Sequence, residues 1–263
     1  MKKFISFLFS MFVLAVTLSA HATAGGDAYS WYCKHVSNHA QPTADTALSF
    51  VEELDGYYID HRHTESDAEE KVIYLTFDAG YENGNVARIL DVLKAEDVPA
   101  AFFILGGLIR TAPELVQRMQ AEGHLVCNHT DRHRDMSAFD DDAFLSELRA
   151  LETRYKELTG AELAPYYRPP EGRFSRDNLV CAQKNGYKTV FWSFAYPDWD
   201  NNSQMSAERA KEIVLENIHN GEVMLLHPTS ATNATILRDV IAALKAEGYR
   251  FGTLDELTAE ALE

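Results

Sequence analysis

From Lys71 onward, short apolar, β-branched runs alternate with stretches of helical periodicity, and this alternation constrains the fold more than any other feature of the chain. The runs are Lys71–Phe77, Ala100–Leu105, His124–Cys127, Tyr166–Tyr167, Lys188–Trp192, Glu222–Leu226 and Tyr249–Gly252. Between them, Val86, Ile89, Leu90 and Leu93 keep helical spacing, as do Phe144, Leu148, Leu151, Tyr155 and Leu158. Thr111-Ala-Pro-Glu114 reads as a capping box opening a helix, and Gly106-Gly107 as a turn. Further helices are predicted over Ser175–Asn185, Ser206–His219, Ile236–Ala246 and Leu254–Leu262. Right-handed βαβ units and a parallel sheet follow. The predicted fold class is α/β, a small, distorted (β/α) barrel of about six or seven units, with a doubly wound open sheet as the alternative.

The chain before Lys71 divides in two. Lys2 and Lys3 precede the apolar run Phe4–Leu18, and Ala20-His-Ala22 or Ala22-Thr-Ala24 offers a cleavage site, so residues 1–24 read as a signal peptide. Export and no remaining membrane segment are therefore expected. Residues 25–70 are weakly patterned, rich in aromatics at Tyr29-Ser-Trp-Tyr32 and Gly56-Tyr-Tyr58, and charged over His61–Glu70. They read as an irregular extension packing across a main domain of residues 71–263, with His61 and His63 as bystanders in a solvated run. The net charge of −16 argues against nucleic acid or an anionic membrane as partner. Cys33, Cys127 and Cys181 are an odd set with no zinc spacing, and the latter two read as small core residues.

Chemistry collects at the carboxyl ends of the predicted strands, where β/α folds place their sites. Asp78 ends the first strand, ahead of Ala79-Gly80. His129-Thr-Asp-Arg-His133 follows the third; on a helical turn the two imidazoles share a face and can share a metal ion, with Asn128 placed to orient a ring. Arg168-Pro-Pro-Glu-Gly172 follows the fourth, holding a guanidinium that can orient a carboxylate, with Glu171 as a turn residue. In Trp192-Ser-Phe-Ala-Tyr-Pro-Asp-Trp199, Trp192 reads as core, Trp199 as the wall of a sugar site, and Asp198 as a partner raising an imidazole's basicity. His227 ends the sixth strand and suits general acid duty. Taken singly, each has a bland reading as a cap, turn or structural ion pair. No P-loop, dinucleotide fingerprint or nucleophile elbow is present.

The order Thr76-Phe-Asp78, His129-Thr-x-x-His133, Arg168-Pro-Pro, Asp198-Trp199, Leu225-Leu-His227 resembles the five motifs of the polysaccharide deacetylases, carbohydrate esterase family four, over about Lys71 to Leu257. Thr76–Gly84, Arg168–Gly172, Phe191–Ser193 and Asp198–Trp199 resemble in particular the delta-lactam-biosynthetic, or peptidoglycan N-acetylmuramic acid, de-N-acetylases. The resemblance implies an exported hydrolase acting on peptidoglycan glycan strands at the cell wall or spore cortex. It implies Asp78, His227, Arg168 and Asp198 as catalytic residues, Trp199, Pro170 and Tyr81 at the substrate, and His129 and His133 at a divalent metal such as zinc. Most members place a second, metal-ligating aspartate where this chain has Ala79, so the implied metal is weakly bound or absent. Two alternatives stay open: a glycoside hydrolase using Asp78 and Asp198, and a catalytically silent glycan-binding protein.

Overall fold

Strand β3 (Lys71–Ala79) carries the architecture. It is buried over most of its length because it is covered on both sides, and its side chains alternate. Ile73, Leu75, Phe77 and Ala79 face an outer core shared with the helices Val86–Glu96 and Ala231–Ala246. Val72 and Tyr74 face the interior with Ala101, Phe103, Cys127, Tyr166, Val190 and Val223. Asp78 falls on the interior side by the same alternation. The computed structural model describes residues 27–64 and 68–259, so the expected signal peptide lies outside the described residues.

The remaining strands are β1 (Ala28–Ser30), β2 (Gly56–Tyr57), β4 (Ala101–Ile104), β5 (Leu125–Asn128), β6 (Tyr166–Tyr167), β7 (Arg173–Ser175), β8 (Lys188–Val190), β9 (Phe194–Ala195), β10 (Glu222–Leu226) and β11 (Tyr249–Phe251). The main sheet runs β2-β8-β6-β5-β4-β3-β10-β9, and β11 pairs with the start of β3. Every named ladder in it is parallel. Strands β8 and β9 sit near opposite ends of that order, yet only Phe191, Trp192 and Ser193 separate them in sequence. Such a link reaches about 14 Å at most. A flat sheet would hold the two strands about 29 Å apart. The sheet therefore curls into the expected distorted barrel. The sequence shows this stretch as one strand, Lys188–Trp192; the structure breaks it at Phe191 and makes the break the seam.

The segment before Lys71 is more ordered than its weak pattern suggests. Strand β1 pairs antiparallel with β7, and β2 adds a parallel edge to β8. Asp60 is buried, accepting from Tyr74 Oη at 2.6 Å and from Arg62 Nε and Nη2, each at 2.8 Å. His61 pairs with Glu52 and His63 with Asp60.

Two local expectations fail. Thr111 does not cap a helix; its hydroxyl bonds back to the Gly107 carbonyl, and the next helix, Pro113–Ala121, starts after Ala112 without a side-chain cap. Gly106-Gly107 is not a bare turn but opens the helix Gly106–Thr111. A Cβ on Gly106 would stand 1.9 Å from Asp131 Oδ1, so glycine is required there for the 129–133 loop to approach. Cys127 and Cys181 are buried and Cys33 partly so, all three as free thiols.

Candidate active site

Arg168 emerges from the end of β6 with its side chain wholly buried. Its guanidinium lies over the Phe103 ring, 4.1 Å from the centroid. Nε donates to the Val190 carbonyl at 2.9 Å, Nη2 to the Phe191 carbonyl at 3.0 Å, and Nη1 to Asp78 Oδ1 at 2.9 Å. The seam of the barrel thus holds the arginine, and the arginine holds Asp78. Burial opposes ionisation of Asp78, but His129, which is charged in the acid range where Asp78 titrates, together with Arg168 and His227 outweighs it and keeps the carboxyl below the usual range.

The backbone of the same arginine sets the histidine beside it. His129 Nδ1 lies 2.8 Å from the Arg168 carbonyl, which can only accept, so Nδ1 carries the proton. Burial pushes the ring's pKa down to about 4. Neutral His129 therefore presents a lone pair at Nε2, 3.4 Å from Asp78 Oδ2. It can accept from water or ligate a cation, but it has no N–H to offer an oxyanion.

His133 joins it by a loop rather than the helical turn that the spacing suggests. Thr130 and His133 adopt φ of 75° and 53°. The Asn128 side chain accepts from the Thr130 N–H at 2.8 Å, and Thr130 Oγ1 accepts from the His133 N–H at 3.0 Å. Asn128 thus braces the loop and orients no ring. The two imidazoles meet edge to face, 5.0 Å between centroids.

Across the cleft, Asp198 accepts the His227 Nδ1–H and its backbone N–H, each at 2.7 Å. Asn233 Nδ2 donates to Asp198 at 2.5 Å and to the His227 carbonyl at 3.1 Å, and its own oxygen accepts from Tyr196 Oη. Burial disfavours a charged His227, but the hydrogen bond and charge of Asp198, with the charge of Asp78, overcome it and raise its pKa. Asn233 carries only one sequence signal, its place three residues past the helix cap Ser230, and Tyr196 reads in the sequence only as one of the rings of the Trp192–Trp199 stretch.

Asp78, His129, His133 and His227 line one cleft of about 690 Å³. Tyr81, Trp199, Leu105 and Tyr196 supply apolar wall, and Glu171 and Gly172 form part of the rim. Trp192 lines it too, so it is wall as well as packing. Pro170, expected at the substrate, is buried and is not a lining residue. Arg168 and Asp198 lie behind the surface, bonded to Asp78 and His227.

The residues fit a tightly held metal poorly. His129 and His133 offer two imidazoles, Asp78 is bound to Arg168, and Ala79 is wholly buried with no donor atom. Among the described residues, no three metal-binding side chains are grouped to hold an ion. A structural zinc takes four ligands and a catalytic one three from protein, so the set falls short.

Comparison with known proteins gives the family. Residues 65–190 match the polysaccharide deacetylase model. The chain is 38% identical to the peptidoglycan-N-acetylmuramic acid deacetylase PdaA of Bacillus subtilis, over 88% of this chain and 86% of that protein. The solved structure of PdaA, a family 4 carbohydrate esterase, superposes with a TM-score of 0.82, covering 88% of this chain and 97% of that one. BA3943 of Bacillus anthracis, a pseudoenzyme of the family, is 25% identical with a TM-score of 0.68, over 78% of this chain and 69% of that one. The chain belongs to the polysaccharide deacetylases, the hydrolases of carbohydrate esterase family four.

Proposed function

We propose that this protein hydrolyses the N-acetyl group of peptidoglycan sugars, N-acetylmuramic acid foremost. The observation that carries the reading is the opposition, across one cleft, of an ionised Asp78 and an Asp198-bound His227. Water held between Asp78 Oδ2 and the His129 Nε2 lone pair loses a proton to Asp78 and attacks the acetamide carbonyl. We assign His133 to the developing oxyanion, because His129 lacks the N–H. His227 then gives its proton to the amide nitrogen as the C–N bond breaks, leaving acetate and a free amine. Arg168 positions Asp78, and Asp198 positions His227. Trp199 and Tyr81, both exposed, wall the sugar.

In other members a divalent metal supplies Lewis-acid help to the carbonyl; the donor set here supports no step through one. The similarity to PdaA supports muramic acid as the sugar and the cell wall as the place, which accords with the expected signal peptide. In muramic acid the lactyl carboxyl stands beside the freed amine, so a later closure to the delta-lactam of spore cortex follows chemically.

The buried Asp198 weighs against a glycosidase: its oxygens are occupied by His227 and Asn233, so it is not free to work on a glycosidic bond. The test is acetate release from intact and peptide-stripped glycan strands. Release from either supports the deacetylase; none from both, with binding retained, overturns it in favour of a silent glycan binder such as the pseudoenzyme relative suggests.

A further inference from the structure

Four large hydrophobic side chains are exposed among the described residues: Tyr32, Val36, Tyr81 and Trp199. Tyr81 and Trp199 line the cleft. Tyr32 and Val36 lie on a strap, residues 31–36, that is fastened to the cleft's own wall. The Trp31 N–H donates to the Gly172 carbonyl at 2.8 Å, and Trp31 Nε1 to the Trp192 carbonyl at 2.9 Å. His35 Nε2 lies 3.1 Å from the Ala195 carbonyl, and its ring stacks on Phe194. Gly172, Trp192 and Ala195 all line the cleft. The strap also departs from the rest of the chain in charge. No Asp or Glu stands between Asp27 and Asp45, whereas Lys34, His35 and His39 do, in a protein of net charge −16.

We propose that this strap is a second sugar subsite, which holds the part of a muramic-acid-containing glycan strand that runs on from the cleft. The inference rests on the deacetylase reading above and extends it. Burial of Trp31, whose backbone is bonded to Gly172, fixes the strap there, and Tyr32, the next residue, is displayed 59% exposed. A pyranose face is partly apolar and stacks on such a ring. Each muramyl sugar of a peptide-stripped strand carries a free lactyl carboxylate, which an acidic protein repels except where a cation is offered. Lys34 supplies that cation. The strap thereby selects a polymer over a single sugar, and a muramyl strand over one lacking carboxylates.

The test is binding of reduced, peptide-stripped peptidoglycan oligosaccharides of two, four and six sugars, by calorimetry, to protein carrying Asp78→Asn so that nothing is hydrolysed. Chitooligosaccharides of the same lengths serve as the uncharged comparison. Affinity should rise with length, and Tyr32→Ala should remove about two- to tenfold of the rise in both series. Tyr32→Phe should retain it, since the ring and not the hydroxyl does the stacking; a loss through local misfolding would not be rescued so. Lys34→Ala should weaken only the peptidoglycan series, and added salt should narrow that difference. A length dependence unchanged by Tyr32→Ala overturns the subsite while leaving the deacetylase reading, judged by acetate release from wild type, intact. Absence of binding at every length overturns the subsite also.

Discussion

His129 donates its Nδ1–H to the carbonyl of Arg168, the residue whose guanidinium fixes Asp78. One residue thus sets both the tautomer of the imidazole and the position of the carboxylate. A lysine cannot reproduce it, because the guanidinium makes separate bonds to Val190, Phe191 and Asp78 in a fixed plane. Arg168→Lys should lower kcat by about a hundredfold or more, and Arg168→Met, which breaks the buried pair on one side, should lose roughly 3–5 kcal/mol in urea unfolding. Retention of wild-type kcat would show that Asp78 needs no such holder.

The pH profile should be bell-shaped, with each limb assigned to one side of the cleft. Asp78 must be ionised and His129 neutral; the Asp78 pKa is lowered and that of His129 is pushed down to about 4, so His129 takes its proton first and the acid limb should fall near pH 4. His227 must be protonated, and its pKa is raised, so activity should persist above the usual histidine range and fade as pH climbs through that raised value. Asp198→Asn removes the partner that raises it. The basic limb of kcat/KM should move to lower pH while the acid limb stays. A basic limb that does not move would assign that limb to another group.

How far the sequence discloses this site depends on what each residue's placement requires. Asp78 and His227 are legible because each ends an apolar run, and period-2 alternation aims the former at the barrel interior. The parallel barrel is legible from the strand–helix alternation. The seam between β8 and β9 is not, because Lys188 to Ala195 reads as near-continuous apolar sequence and only pairing partners far away divide it. The His129–His133 pair is legible as a pair, yet its loop depends on two residues at positive φ and on Gly106, which leaves room for Asp131. Asn233 is nearly silent because its place three residues past the cap Ser230 marks only a helix start; its role comes from Asp198, thirty-five positions earlier.

His133 is assigned to the oxyanion on the ground that His129 is fixed in the wrong tautomer. Loss of one such donor costs about a hundredfold or more in kcat. His133→Ala should show that loss, whereas His133→Gln, which keeps an N–H, should recover part of it. Acetate release should also survive chelator, since no proposed step runs through a metal and two imidazoles with Ala79 beside Asp78 fall short of a catalytic donor set. Full loss in chelator, restored by zinc, would return both histidines to metal ligation and remove the assignment.

The segment before Lys71 should fold with the barrel as one unit, through Asp60. Its carboxylate is buried against β3, with donors from Tyr74 on that strand and from Arg62 and His63 on its own segment. Burial opposes its charge, but the bonds from Arg62 and Tyr74 prevail and lower its pKa to about 2. A depressed carboxylate contributes stability that is complete above its unfolded pKa and is lost as pH falls through the folded value. The contribution is about 2–3 kcal/mol and should disappear between about pH 4 and pH 2. Asp60→Asn should destabilise the protein at neutral pH and make its stability fall less steeply over that acid range, as read from urea midpoints. A chain starting at Lys71 lacks both Asp60 and β2, exposes the edge of β8, and should not give a cooperative unfolding transition. If it unfolds cooperatively with wild-type midpoint, the extension is an ornament on an independent barrel rather than part of it.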